Sequence, residues 1–268
     1  MSKISLQNVS LKYEDKSSNF CAIKDINISI KDGEFVSIIG PSGCGKSTLL
    51  SLLTGLNFPT DGYILLDGQQ VQGTGTERGV VFQHYSLFPW MSARKNLIFG
   101  LKQAFRTKRM KDLEEIADKY LNLVGLKDFK NKYPSQLSGG MQQRVAIARA
   151  FAMNPGILLM DEPFGAVDAK NRVILQELLL NLWDNGNERK TVILVTHDID
   201  EAILLSDRII VMSAGPGTVK KEIPIDFERP RDRTSLIRSE KYTNLRNKLV
   251  NLFYDELIEK IGGDEVVL

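Results

Sequence analysis

The stretch that decides the fold is Gly40-Pro41-Ser42-Gly43-Cys44-Gly45-Lys46-Ser47-Thr48. It fits G-x-x-x-x-G-K-[ST], a loop that cradles nucleotide phosphates. Gly43 and Gly45 let the backbone curl so that successive N–H groups point inward at phosphate oxygens. Lys46 adds a cation that reaches the β- and γ-phosphates, and Ser47 offers a hydroxyl to Mg²⁺. The alternative is a glycine-rich turn, but the four fixed positions arise by chance in only about one chain in a hundred of this length. The flanks decide the matter. Phe35-Val36-Ser37-Ile38-Ile39 is an apolar strand entering the loop, and 47–53 is a helical pattern leaving it and ending near Gly55. Strand, loop and helix are the context this motif requires.

Composition sets the outer bounds. The chain has 268 residues and 43% hydrophobic content, enough for a core in one or two domains. Its 35 basic and 33 acidic residues leave +2, without the basic excess of a nucleic-acid binder. Cys21 and Cys44 are far apart and one lies in the phosphate loop, so a reducing compartment is expected. Polar residues interrupt the start, so no secretory signal is read. No run of 18 apolar residues occurs, so no membrane span is expected.

Upstream of the loop, alternation over 4–11 and 25–30 predicts two strands of an antiparallel layer, with 14–19 as a polar loop between them. Tyr13 at its edge either stacks on an adenine base or is a half-buried strand-end tyrosine. Downstream, 63–67 and 79–83 read as strands, the second ending in Gln83. His84 reads as structural or solvated. From about 86 to 153 the pattern is mostly helical, with Met110, Leu113, Ile116, Ala117, Tyr120, Leu121 and Val124 at helix spacing and Thr107 as a candidate cap. This predicts a helical subdomain inserted into an α/β core. Within it, Leu87-Phe88-Pro89-Trp90-Met91 is either local core or a docking surface. Ser138-Gly139-Gly140 opens an alanine-rich helix on which Met141, Val145, Ala148 and Ala152 share a face, and reads either as a second anion site or as an ordinary N-cap.

The stretch 157–163 reads as a buried-type strand ending in two carboxylates, Asp161 and Glu162. After an upstream phosphate loop, that pair suits a Mg²⁺-bound water and an attacking water, although acidic residues often end strands. Strand 191–196 ends in His197, at the strand end where α/β proteins bind ligands. A short helix over 198–206, a hairpin over 208–225, a solvated mixed-charge loop at 229–233 and an amphipathic terminal helix striped by Leu245, Leu249, Leu252, Phe253 and Leu257 complete the chain. That last helix packs on its own domain or meets a partner.

The ordered set of phosphate loop, Gln83, LSGGM, ILLMDEP, Asp168 and His197 resembles the ATP-binding subunits of ABC transporters over residues 1–232. The Ser138-Gly139-Gly140 signature is its most specific part. The resemblance implies an α/β phosphate-loop NTPase core with an N-terminal antiparallel β-layer and an inserted helical subdomain at about 86–153, leaving 233–268 as a C-terminal helical extension. It implies ATP and Mg²⁺ as ligands. Tyr13 would stack on adenine and 40–48 would cradle phosphates. Ser47, Gln83 and Asp161 would serve Mg²⁺. Glu162 would be the general base or water-positioner, and His197 would contact the γ-phosphate. Asp168 would line a dimer seam, and Ser138-Gly139-Gly140 would contact ATP held by a second copy in a head-to-tail dimer. Met141, Gly165 and Val167 depart from common family residues without removing a polar group the chemistry needs.

Cys44, the Phe-Pro-Trp run and the 229–233 segment look most like the nitrate/sulfonate/taurine importer subfamily. That implies a peripheral subunit on the cytoplasmic face of the cell membrane. Permease and extracytoplasmic solute-binding protein would be separate chains, and no nucleic acid would be involved. A ribosome- or DNA-directed ATPase of this family is disfavoured by the single cassette and by the short spacing from Lys46 to Ser138. A non-hydrolysing module is disfavoured by Glu162 and His197.

Overall fold

The computed structural model describes residues 2–15, 18–184 and 189–263. Strands β1 (Ser2–Asp15) and β2 (Ser18–Lys31) form a long antiparallel hairpin. The expected loop at 14–19 is therefore strand on both sides of residues 16 and 17, which lie outside the described residues. Glu14 pairs with Asn19 and Asp15 with Ser18. Asn8 and Asp25 adopt positive φ and shift the register, which shortens the runs of clean alternation.

β3 (Phe35–Ile39) leads through the phosphate loop into α1 (Lys46–Thr54), which stops at left-handed Gly55 as the sequence predicts. β4 (Asp61–Leu66) and the short β5 (Gln69–Gln70) complete a four-stranded antiparallel sheet ordered β2-β1-β4-β5. β6 (Arg78–Val81) precedes three helices: α2 (Ala93–Ala104), α3 (Met110–Leu123) and α4 (Gly139–Ala152). Thr107 does not cap α3. The helix starts after Arg109, whose guanidinium pairs with Asp112. β7 (Ile157–Asp161), α5 (Ala169–Asp184), β8 (Thr191–Val195), α6 (Ile199–Leu205), β9 (Arg208–Ser213), β10 (Thr218–Pro224), α7 (Arg233–Arg238) and α8 (Glu240–Gly263) follow.

The second sheet runs β10-β9-β3-β8-β7-β6, all parallel except the edge strand β10. Its central strands are mostly apolar because both faces are covered. Leu158, Met160, Val192 and Leu194 enter one core with Trp183 and α4 to α6. Ile157, Leu159, Ile193 and Val195 enter another, between this sheet, α1 and the antiparallel layer. A third core joins α2, α3 and α4. α4 belongs to two of them: Ala146, Ile147, Ala150 and Phe151 face the sheet core, and Val145, Ala148 and Ala152 face the helical one.

The mixed-charge segment at 229–233 is not the solvated loop expected. Arg231 Nη1 donates to the carbonyls of Ile203 (2.9 Å), Leu204 (2.9 Å) and Ser206 (2.7 Å), closing the C-terminal end of α6. Burial, with the Arg229 charge adding, lowers its pKa to about 10. Arg229 bonds Asp207 and the Leu205 carbonyl while its guanidinium lies 4.5 Å from the Trp183 ring. α8 packs inward: Tyr242 and Leu249 are buried in the sheet core, with Leu245, Leu252 and Phe253 against it. The side chain of Leu257 lies outside the described residues.

Candidate functional site

Parallel register puts the loops that matter at one end of the sheet. Ile38 and Asp161 both pair with Val195, and Val81 pairs with Met160. The segments carrying Gln83, Glu162, His197 and the phosphate loop therefore all leave the sheet at its carboxyl end, where open α/β sheets bind ligands.

In the phosphate loop, Gly45 takes φ 86° as the N-cap of α1, and a Cβ there would lie 2.4 Å from Ile23 Cγ2. Only glycine fits this turn against β2. α1 has no side-chain cap, which leaves its first N–H groups to a ligand. Lys46 is buried, and its Nζ donates to the carbonyls of Gly40 (2.8 Å) and Pro41 (3.0 Å), with Cys44 Sγ at 3.7 Å. Ser42, Gly43 and Ser47 are exposed along the loop and Thr48 is half-buried.

The Ser47 hydroxyl donates to the Asp161 carboxylate. Burial holds Asp161 above the usual carboxylate range and the Glu162 charge adds to this, while the Ser47 bond and the Lys46 charge oppose it. The two oxygens form a hard donor pair of the kind that holds Mg²⁺ beside phosphate.

Glu162 turns the chain at φ 43°, its N–H donating to the Val195 carbonyl at 2.9 Å. Its Oε2 lies 3.4 Å from Gln83 Nε2 and 3.2 Å from His197 Nδ1. The histidine side chain is 67% exposed and the glutamate 23%. A carboxylate so placed between an amide and an imidazole can hold a water molecule and accept its proton.

Ser138 caps α4, its Oγ accepting from Met141 N–H at 3.3 Å. A Cβ at Gly139 would lie 2.7 Å from Tyr85 Oη, and one at Gly140 would lie 3.3 Å from Asn171 Cγ. The signature's close neighbours are thus the Gln83 segment and α5, and not residues 40–48. Exposed Asp168 accepts from Asn171 N–H (3.0 Å) and Asn171 Nδ2 (2.6 Å), which hold its carboxyl below the usual range. Tyr13, 44% exposed, faces exposed Phe20 across the β1–β2 hairpin. That hairpin reaches the phosphate loop at Ala22 and Ile23. His84 is exposed.

Tyr85 and Asn171 went unread in the sequence. The Asp-x-x-Asn spacing at 168–171 signals a capped helix start and would have found Asn171. Tyr85 carries no comparable signal.

Residues 23–165 match the ABC transporter family. An uncharacterized ABC transporter ATP-binding protein of Methanocaldococcus jannaschii is 48% identical over 97% of this chain and 94% of its own length. This chain belongs to the ABC transporter family. The nitrate import ATP-binding protein NrtD of Synechococcus elongatus is 48% identical over 88% of the chain and 85% of its own length. The bicarbonate transport ATP-binding protein CmpC of the same species is 44% identical over 98% of the chain, which spans 40% of that longer protein. A dimeric ATP-binding cassette in a post-hydrolysis state, bound to ADP and Pi, superposes with a TM-score of 0.74 at 37% identity, covering 84% of this chain and all of that one. As an ABC transporter ATP-binding protein, the chain is an ATPase coupled to transport, with the α/β cassette fold and inserted helices its sequence predicts. Among the described residues, no helix is long and apolar enough to cross a membrane.

Proposed function

We propose that this ABC ATPase drives uptake of a small anion such as nitrate, sulfonate or taurine through separate permease chains, from the cytoplasmic face of the cell membrane. The observation that carries the catalytic reading is the convergence of Gln83 and His197 on Glu162, beside the Ser47–Asp161 pair. Loop 40–48 and Lys46 hold the phosphates, and Tyr13 stacks on the adenine. Glu162 orients the attacking water and takes its proton, and His197 and Gln83 fix that water and the γ-phosphate. Ser47, Asp161 and Gln83 would hold Mg²⁺, which supplies charge neutralisation at the phosphates. A second copy packs head to tail, so that Ser138-Gly139-Gly140 and the Asp168 seam close over ATP on the partner. Residues 1–232 form the ATPase unit, with 86–153 as its helical part and 233–268 as an extension.

The anion class rests on the likeness to NrtD, since no side chain of this subunit is required to touch the solute. The permease contact rests on Trp90, which is 69% exposed, while Phe88 packs on Phe99 at 4.5 Å and presents the tryptophan outward.

Deleting the gene and measuring nitrate, sulfonate and taurine uptake tests the class. Unchanged uptake of all three overturns it. Trp90→Ala in the assembled transporter is expected to abolish co-purification with the permease while the isolated chain still hydrolyses ATP. Unfolding of the isolated chain would show Trp90 to be local core.

A further inference from the structure

The residues on either side of His197 are tied to a side chain with no part in the mechanism above. Glu201, in the first turn of α6, is 6% exposed. Its Oε2 accepts the Thr196 hydroxyl at 2.7 Å, and that hydroxyl oxygen accepts the Asp198 N–H at 3.0 Å. The Glu201 N–H donates to Asp198 Oδ1 at 3.0 Å. The turn bearing His197 is therefore clasped from below, while the imidazole itself stands out toward Glu162.

The other carboxylate oxygen faces α5. Oε1 accepts Gln176 Nε2 at 3.0 Å. Arg172, one turn after Asp168 and with its N–H on the Asp168 carbonyl at 2.8 Å, reaches Asp198 Oδ2 at 3.3 Å. Its Nε is 3.8 Å from Glu201 Oε1, and among the described residues that buried nitrogen has no hydrogen-bond partner. A buried donor left open beside a carboxylate marks a contact that a small shift of α5 would close.

We propose that Glu201 is a positioning residue for ATP hydrolysis, fixing the turn that carries His197 and linking it through Arg172 to the Asp168 seam. This rests on the assignment of His197 to the reaction. The reach of the side chain is what matters: from one backbone position it must touch Thr196 above and Gln176 beside it. Burial pushes the Glu201 pKa up to about 7, with Asp198 adding and the Thr196 and Gln176 bonds and the Arg172 charge opposing, so the site accommodates a neutral group. Glutamine keeps the length and one acceptor. Aspartate keeps the charge and loses a methylene.

The test compares His197→Ala, Glu201→Asp, Glu201→Gln and Thr196→Val in the full chain, by steady-state MgATP hydrolysis, nucleotide affinity and melting temperature. A displacement of about 1 Å can cost on the order of a hundredfold, so Glu201→Asp and Thr196→Val should each lower kcat by at least about tenfold. KM and ATP affinity should stay within about twofold, and Glu201→Gln should recover kcat to within about threefold of the parent.

If Glu201 only stabilises the fold, the variants lower the melting temperature and leave kcat per folded molecule unchanged, which overturns the proposal. A parallel loss of kcat and ATP affinity also overturns it. Should Glu201→Asp fail to fold, Thr196→Val carries the same prediction. Loss of hydrolysis in His197→Ala with full activity in both Glu201→Asp and Thr196→Val sinks this inference alone. Hydrolysis that survives His197→Ala overturns it together with the assignment of the site.

Discussion

Two helices in this molecule begin next to glycines, and they begin in opposite ways. α1 starts at Gly45 with no side-chain cap and with Lys46 folded onto the loop carbonyls. α4 starts at Ser138, whose own hydroxyl satisfies the Met141 N–H. The first start leaves its backbone donors for a ligand on the same chain. The second carries its own side-chain cap and exposes Ser138, with Gly139 half-buried beside Tyr85 and Gly140 buried beside Asn171. An uncapped helix start builds a binding site, and a capped one can wait for a partner to bring the phosphate to it.

The largest effect should come from breaking the first start. Charge-assisted hydrogen bonds contribute roughly 1.5–3 kcal/mol each, so Lys46→Ala should cut ATP hydrolysis by at least about a hundredfold. Unchanged steady-state hydrolysis would refute the phosphate site. Breaking the second start should spare binding and remove assembly. Glu162→Gln keeps shape but loses the base, a change worth on the order of 10²–10⁴ in rate, so ATP should hold two chains together in size-exclusion chromatography. Adding Ser138→Arg should abolish that dimer while each chain still binds ATP. A double mutant that dimerises as readily as Glu162→Gln alone would show that the signature does not act across the seam.

A third start, that of α6, sharpens the contrast because charge caps it. Asp198 accepts from the Asp200 and Glu201 N–H groups, and Glu201 faces Arg172, Asp198, Thr196 and Gln176. The folded-state pKa of Glu201, about 7, lies above its ordinary 4.5, so the folded chain holds an extra proton between those values. Stability from this group is then full below that window and is lost as pH rises through it, by up to about 3 kcal/mol. Urea midpoints on either side of the window should differ less in Glu201→Gln than in the parent, and an equal pH slope in both would refute this. The smallest effect belongs to Ser138→Ala, which should cost the isolated chain about 0.5–2 kcal/mol as a lost cap. α1 has no such cap to lose.

The phosphate loop and the end of β7 were legible because their signals are local: glycines and a lysine in one short run, and a carboxylate pair at a strand end. The two-faced burial of α4 was legible in part, since Met141, Val145, Ala148 and Ala152 mark the stripe toward the helical layer. What escaped reading has partners distant in the chain or partners without side chains. Arg231 looked solvated by its charge, yet it bonds backbone carbonyls of α6, which leave no trace in residue type. Tyr85 meets Gly139 across more than fifty residues. Thr107 showed that a cap signal is outweighed when a nearby pair, here Arg109 with Asp112, settles the helix start later. Glu14, Asp15, Ser18 and Asn19 pair as strand despite their polarity, because hairpin hydrogen bonds do not need apolar residues.

The place of β3 has a consequence in time. The strand that launches the phosphate loop pairs on one side with β8 and on the other with β9, so its neighbours arrive about 150 residues later in the chain. At a synthesis rate of about 5–20 residues per second, Phe35–Ile39 emerges roughly 8–30 s before either neighbour exists. During that interval Val36 and Ile38 can pack on α1 and the antiparallel layer, but both hydrogen-bonding edges of the strand lack their partners. The window for misassembly, or for a chaperone, is written into the strand order.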